Sequence, residues 1–391
     1  MILVGIFVSI IGFFPCVSSA EVVARCGQGY LEIVDGYRVL HLKGTAYEMG
    51  YQQGALLAQE CRALFHHLFD DKLKETKIEY LGVNVPIQQV VSAIFAMQRA
   101  NIPPRYIEEM QGLAHALKID AETVFIANSI PEFFHCSGFA LLNQITQQGT
   151  LLHGRVLDYG VDWQLQDHAV LVIAEPDGRI PFVNVTYAGF IGSVTGMNGR
   201  EVSIGEMGGG GQGKWAGTPM SFLVRRVLEE SETLNDALQV FEKSKRTCEY
   251  YYVIADAKAN AAVGVEGSAD RFTVVPAGES HPQLPTPIPH TVLLSQSDRY
   301  KNLCRITQGV LNQQGKFSIE QAIRLMDAPV AMKHNLHNVL FAPGLGELWV
   351  ANASSDKKPA WTQKYHEFDF RALLKQSRPT SGHEISLPKR G

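Results

Sequence analysis

The hydrophobic pattern changes from a long helical stretch to mainly strand-like runs near residue 135, and that change limits what the chain can fold into. Residues 55–125 carry apolar side chains at helical spacing, interrupted at Pro86 and at Pro103-Pro104. From Cys136 onward, short apolar runs alternate with turn signals. Runs 168–175 and 180–187 flank Pro176-Asp177-Gly178, and runs 190–197 and 201–207 flank Asn198-Gly199, a favoured two-residue hairpin turn. Helices are predicted over 219–230 and 233–244, then strands over 250–256, 261–266, 271–275 and 290–294. A helix over 299–311, a second behind the Ser318…Gln321 capping box, and strands over 338–341 and 347–352 complete the pattern. Upstream, 30–42 reads as one or two strands. Thr45 with Glu48 forms a capping box that opens a helix, in which Gly50 and Gly54 lie one turn apart and suit close helix packing. Strands and helices are thus grouped, not alternating as βαβ units, which predicts a layered α+β fold.

The ends of the chain differ from its body. Ile2–Phe14 is a continuous apolar run, followed by Pro15 and the small residues Ser18-Ser19-Ala20, as expected for a signal peptide cleaved after Ala20. That run is too short for a membrane span, and no later stretch is longer. The expected product is an exported protein, periplasmic or extracellular. With 19% charged residues, a net charge of −4 and no run of basic residues, the composition argues against nucleic acid as a partner. Export also matters for the cysteines. Without Cys16 there remain Cys26, Cys61, Cys136, Cys248 and Cys304, an odd number; with Cys136 free, the other four are compatible with two disulfides.

The stretch from His135 to Asp158 carries the chemistry. Cys136 opens an apolar run, a turn follows at Gln147-Gln148-Gly149, and a second run delivers Arg155 and Asp158. As a hairpin, it brings a thiol, a guanidinium and a carboxylate to one end, and a nearby cation lowers a thiol pKa. The same cysteine also reads as a buried structural residue or half of a disulfide. Other lookalikes fail on their details. Gly208–Lys214 nearly spells a phosphate-binding loop, but Trp215 follows where Ser or Thr should be. His334 and His337 lack acidic co-ligands, no Cys-x-x-Cys occurs, and so no metal or other cofactor is expected. His153 and His290 are alternative partners for Cys136 in an unprocessed Cys/His hydrolase. Asn184-Val185-Thr186 and Asn352-Ala353-Ser354 match the glycosylation pattern. Tyr187, Phe190, Trp215 and Tyr250–Tyr252 are available to line an apolar acyl pocket.

CSGFALLNQITQQGTLLHGRVLDYG, from Cys136, resembles the nucleophile hairpin of the N-terminal-nucleophile hydrolases. It is most similar to the acyl-coenzyme A:6-aminopenicillanic acid acyltransferase (isopenicillin-N acyltransferase) family of autoproteolytic cysteine acyltransferases and hydrolases. GTAYEMGYQQG at Gly44–Gly54, GMNGREVSIGEMGG at Gly196–Gly209, RTCEYYYVIADAK at Arg246–Lys258 and NLHNVLFAPGLGELWVANA at Asn335–Ala353 follow in the expected order. The resemblance implies an αββα four-layer sandwich and cleavage between His135 and Cys136, which makes Cys136 the new N-terminus. The chain then divides into a signal peptide (1–20), a mainly helical segment (21–135), a catalytic αββα domain (136–375) and a polar tail (376–391). It further implies Cys136 as nucleophile, Arg155 and Asp158 as its partners, Asn198 as an oxyanion-stabilising residue and Arg299 as a second arginine near substrate. Tyr187 and Trp215 are the expected pocket aromatics. The expected activity is hydrolysis or acyl transfer on a small-molecule amide or acyl substrate through a thioester. The rivals are the Cys/His hydrolase and a catalytically silent envelope binding protein on the same fold.

Overall fold

The protein is described from a computed structural model covering residues 20–74, 77–80, 83–129, 135–209 and 214–388, with side chains left out at 77–80, 83–84 and 135. The expected signal segment before Ala20 and the glycines at 210–213 lie outside these residues. The chain opens with β1 (Ala20–Cys26), β2 (Gly29–Val34) and β3 (Tyr37–Gly44), then α1 (Ala46–Leu56) and α2 (Ala58–His66). A small pair, β4 (Lys77–Tyr80) and β5 (Val83–Pro86), precedes α3 (Ile87–Gln98), α4 (Pro104–Leu117) and α5 (Ala121–Ala127). Next come β6 (His135–Leu141), β7 (Leu152–Asp158), β8 (Ala169–Pro176), β9 (Phe182–Tyr187), β10 (Thr195–Asn198) and β11 (Val202–Gly208). After α6 (Met220–Glu230) and α7 (Leu234–Glu242) lie β12 (Tyr250–Asp256), β13 (Ala261–Gly267), β14 (Phe272–Pro276) and β15 (Thr291–Leu294). The last elements are α8 (Ser297–Gln314), α9 (Ile319–Arg324), β16 (His337–Ala342), β17 (Glu347–Asn352), β18 (His366–Asp369), α10 (Phe370–Lys375) and β19 (His383–Ile385).

Two sheets stack face to face. The larger has 11 strands in the order β14-β13-β12-β11-β10-β9-β8-β3-β2-β1-β19, and the smaller has 6 in the order β15-β6-β7-β16-β17-β18. Strands β11 and β12 lie over β6, so closely that a Cβ on Gly138 would meet the Met207 sulfur at 2.6 Å. Helices α6 and α7 cover the outer face of the large sheet, and α8 and α9 that of the small one. The expected α+β fold in four αββα layers is therefore the observed one. Phe139, Leu141, Val156, Leu303 and Leu325 fill the gap between the small sheet and its helices; Met207, Val253, Leu294 and Val339 belong to the core between the sheets.

Local chemistry explains several helix starts. The Thr45 side chain and Glu48 cap α1 reciprocally, and Ser318 with Gln321 does the same for α9. Helix α1 crosses α4 so closely that a Cβ on Gly50 would stand 1.8 Å from the Glu109 carbonyl oxygen, which is the work of the small-residue face. Residues 190–194, expected in a strand, are not in one, because their backbone is bonded elsewhere. The Asn128 side chain takes the Ile191 amide (2.6 Å), Asn184 takes the Gly192 carbonyl (3.1 Å), and the Ser193 amide donates to Ser221 (3.0 Å). The polar tail is not wholly unpaired: β19 lies parallel to β1, as β3 does to β8. The two expected disulfides are absent. Cys26, Cys61, Cys248 and Cys304 are buried and form no disulfide with one another. They sit in β1, in α2, next to the Lys214 carbonyl and in α8 respectively, each packed among its own neighbours.

Among the described residues no helix is long and apolar enough to cross a membrane. Neither glycosylation pattern presents a free amide. Asn184 is buried, with Nδ2 on the Gly192 carbonyl and Oδ1 accepting from Ser193, and the Asn352 amide donates to the Tyr37 hydroxyl.

Candidate active site

The β6–β7 hairpin sets the geometry. Cys136 pairs with Leu157, Gly138 with Arg155, and His135 with Asp158. Alternation along a strand then puts Cys136 and Arg155 on the face turned to the large sheet, and Ser137 and Asp158 on the face turned to α8. The thiol is buried at the edge of a cavity of about 340 Å³, which is also lined by Met207, Tyr251, Glu266, His281, Leu294 and Ser295.

On the inner face, Arg155 has no exposed surface. It donates to the Val156 carbonyl (2.6 Å) and reaches Glu206 Oε2 at 3.4 Å. Burial pushes the Cys136 thiol up to about 12, while the Arg155 guanidinium opposes the shift by its charge and a hydrogen bond. At neutral pH the resting group is therefore the thiol, and an attack needs a base that takes the proton as the new bond forms.

On the outer face, Arg299 from α8 donates to Asp158 Oδ2, to Ser137 Oγ (2.6 Å) and to the Val330 carbonyl (2.7 Å). Asp158 Oδ1 accepts the Met332 amide at 3.0 Å. Burial pushes this carboxyl upward against the pull of Arg299 and the Met332 amide. Ser137 Oγ also lies 2.6 Å from Ser295 Oγ, tying β6 to the entry of α8. The structure thus brings Cys136, Arg155, Asp158 and Arg299 together around one strand end.

Other expected residues stand elsewhere. Asn198 is a structural residue: its amide donates to the carbonyls of Leu228 (3.0 Å) and Ser231 (2.8 Å), and its Oδ1 accepts the amides of Arg200 (3.0 Å) and Val202 (3.1 Å). All its hydrogen-bonding capacity is taken by its own turn and the end of α6, so none is left for an oxyanion. Tyr187 is buried between the sheets with its hydroxyl 2.9 Å from His337 Nδ1, and Trp215 packs against the core; neither lines the cavity. Of the aromatic residues considered for the pocket, Tyr251 is there. His153 and His290 are remote from the thiol. His153 pairs with Ala140, four residues along β6, roughly 13 Å at the usual rise. His290 follows the other end of the hairpin, accepting the Leu142 amide on its carbonyl.

Glu206 and Ser137 were not singled out from the sequence. A carboxylate inside the apolar strand VSIGEM was a usable signal for Glu206, since acids are rarely buried without a partner. Nothing local in the sequence links Ser137 to Ser295, which are 158 residues apart.

The family described as acyl-coenzyme A:6-aminopenicillanic acid acyl-transferase matches residues 146–281, a span that holds Arg155, Asp158 and Glu206 and begins after Cys136. Protein dcd1A of Dictyostelium discoideum is 28% identical over 287 residues, covering 65% of this chain and 64% of that protein. The N-acylethanolamine-hydrolyzing acid amidase of Rattus norvegicus is 23% identical over 229 residues, covering 54% of this chain and 62% of that protein. Bovine (Bos taurus) acid ceramidase is 26% identical over 183 residues, covering 39% and 45%. A solved Caenorhabditis elegans N-acylethanolamine-hydrolyzing acid amidase ortholog superposes with a TM-score of 0.43 at 19% identity, covering 60% of this chain and all (100%) of that one. The chain thus spans less than two thirds of the length of each of these three curated relatives. It is to the acyl-coenzyme A:6-aminopenicillanic acid acyl-transferase family, over residues 146–281, that this chain is similar.

Proposed function

We propose that this protein is an exported cysteine N-terminal-nucleophile hydrolase or acyltransferase that opens an amide or acyl bond through a thioester on Cys136. The observation that carries this reading is the convergence of Cys136, Arg155, Asp158 and Arg299 at the end of β6, beside a cavity that admits a small molecule. The relatives' names support an amide: an acyl-transferase and an amidase that hydrolyses N-acylethanolamines both handle an acyl group on nitrogen.

In this reading the chain is first cut between His135 and Cys136, into a light piece (21–135) and a heavy piece (136–391). The thiol adds to the His135 carbonyl, the acyl group moves from nitrogen to sulfur, and water hydrolyses the thioester. The freed α-amine, with an ordinary pKa of about 7.7–8.0, then supplies the base that a buried thiol requires. In turnover it takes the thiol proton as Cys136 attacks the substrate carbonyl, and returns it to the leaving amine. Arg155 favours the developing thiolate. Asp158, clamped by Arg299 and the Met332 amide, orients the ammonium. Water or an acceptor amine resolves the thioester.

Cys136→Ala is expected to abolish turnover and chain cleavage together, since one sulfur serves both. Intact-mass measurement and N-terminal sequencing of the wild-type protein should give a fragment beginning with Cys136. An active protein whose residues 135 and 136 remain joined would refute the free-amine mechanism.

A further inference from the structure

The cavity beside Cys136 is apolar over most of its wall and acidic at one place. Its apolar lining includes Met207, Val265, Val275, Leu284 and Leu294. Among its described lining residues there is one carboxylate, Glu266, and no Lys or Arg. The sheet registers fix where that carboxylate stands. Met207 pairs with Tyr251, and Tyr251 with Glu266, so these three side chains share one face of the large sheet. Met207 abuts Gly138 on the nucleophile strand. Glu266 therefore lies two strands further along the same row, about 10 Å from Met207 at the usual strand spacing.

The carboxylate is buried, with the side chain 9% exposed, and is not fully engaged. Its Oε1 has Arg271 2.8 Å away, but this contact lies off the hydrogen-bonding direction and leaves the oxygen without a hydrogen bond. Arg271 itself is 62% exposed and is shared with Glu249 at 3.0 Å. An exposed arginine of this kind holds its partner weakly. A mostly buried carboxylate that lines an apolar slot and is held from outside by one exposed arginine favours a ligand that brings its own positive donor. The Tyr251 ring lines the same wall, and its hydroxyl is occupied by Glu249 at 2.6 Å, so the ring offers a surface for an alkyl chain or a cation.

We propose that the cavity selects amides that carry a protonated amine one pocket length from the scissile carbonyl, with an alkyl spacer against Met207 and Leu294 and the ammonium on Glu266. This rests on the cavity being the substrate site of the activity proposed above. It adds the chemical class: a cationic amphiphile, not a neutral or anionic acyl chain.

The test separates the two readings because it needs no turnover. Binding of N-(5-aminopentyl)acetamide and of N-pentylacetamide to the full-length Cys136→Ala protein is measured by calorimetry. The amine is expected to bind at least about tenfold more tightly, the size of one charge-assisted hydrogen bond, and the preference should shrink with added salt. Adding Glu266→Gln should bring the ratio close to one. Arg271→Ala, which removes the competing cation without touching the apolar wall, should raise it. Circular dichroism establishes that each variant is folded. Equal or weaker binding of the amine, binding of neither compound, or a ratio unchanged by Glu266→Gln overturns the inference. None of these results bears on whether Cys136 is the nucleophile, which terminal sequencing and the loss of turnover decide separately.

Discussion

Arg155 makes two separate contributions, and substitution can divide them. Its guanidinium opposes the upward push of burial on the Cys136 thiol, and it also faces the buried Glu206 carboxylate. Arg155→Ala should lower turnover about a hundredfold or more, the usual effect of removing a positioned catalytic charge. It should also destabilise the fold by roughly 3–5 kcal/mol, because Glu206 keeps its charge in a place that has lost the cation. The double variant Arg155→Ala/Glu206→Gln should regain most of that stability in chemical denaturation while turnover stays low. Recovery of both together would make Arg155 a purely structural residue. Arg155→Lys keeps the charge but loses the planar fork, and should fall between wild type and Arg155→Ala in turnover.

At the scale of elements, the Asn198 turn shows how a sequence motif can be right about structure and silent about position. Asn198-Gly199 was read as a hairpin turn, and β10 and β11 do pair across it. Its side chain also binds the last carbonyls around α6, which no sequence spacing reveals. Asn198→Ala should therefore cost roughly 1–3 kcal/mol of stability, the penalty for leaving buried polar groups without partners, with turnover per folded molecule close to wild type. A large loss of turnover at unchanged stability would return Asn198 to the site.

Local signals were legible where local chemistry decides: the capping boxes at Thr45 and Ser318, the strands from β8 to β17, and the hairpin that joins Cys136 to Arg155 and Asp158. Contacts between distant segments were not. The expected strand at residues 190–194 was taken by side chains from α5 and β9. The Ser137–Ser295 contact, the Glu206 partner and the separation of the four other cysteines are likewise products of tertiary packing.

For the molecule as a whole, two buried imidazoles set an acid limit. Burial drives His153 down to about 3, and pushes His337, held between Tyr187 and Thr195, well below its ordinary value. Both are neutral in the folded chain and take up a proton on unfolding. Their contribution is fully present above the unfolded pKa of about 6.5 and is lost as the pH falls below it. Each should reduce stability by about 1.4 kcal/mol per pH unit. Melting temperatures measured from pH 7 to pH 4 should therefore fall steadily below pH 6.5, and His153→Leu should flatten part of that slope. A flat profile in the wild type would mean that the folded chain admits the protons.

The order of the large sheet has one more consequence. Strands β1, β2 and β3, which precede residue 136, are inserted between β8 and β19, which follow it. A break between residues 135 and 136 would release a chain end but not a folding unit. Losing the piece before it would strip the neighbours of β3 and β1 and expose two bare sheet edges. Covalently the product would be two polypeptides, yet it would still melt as one cooperative body.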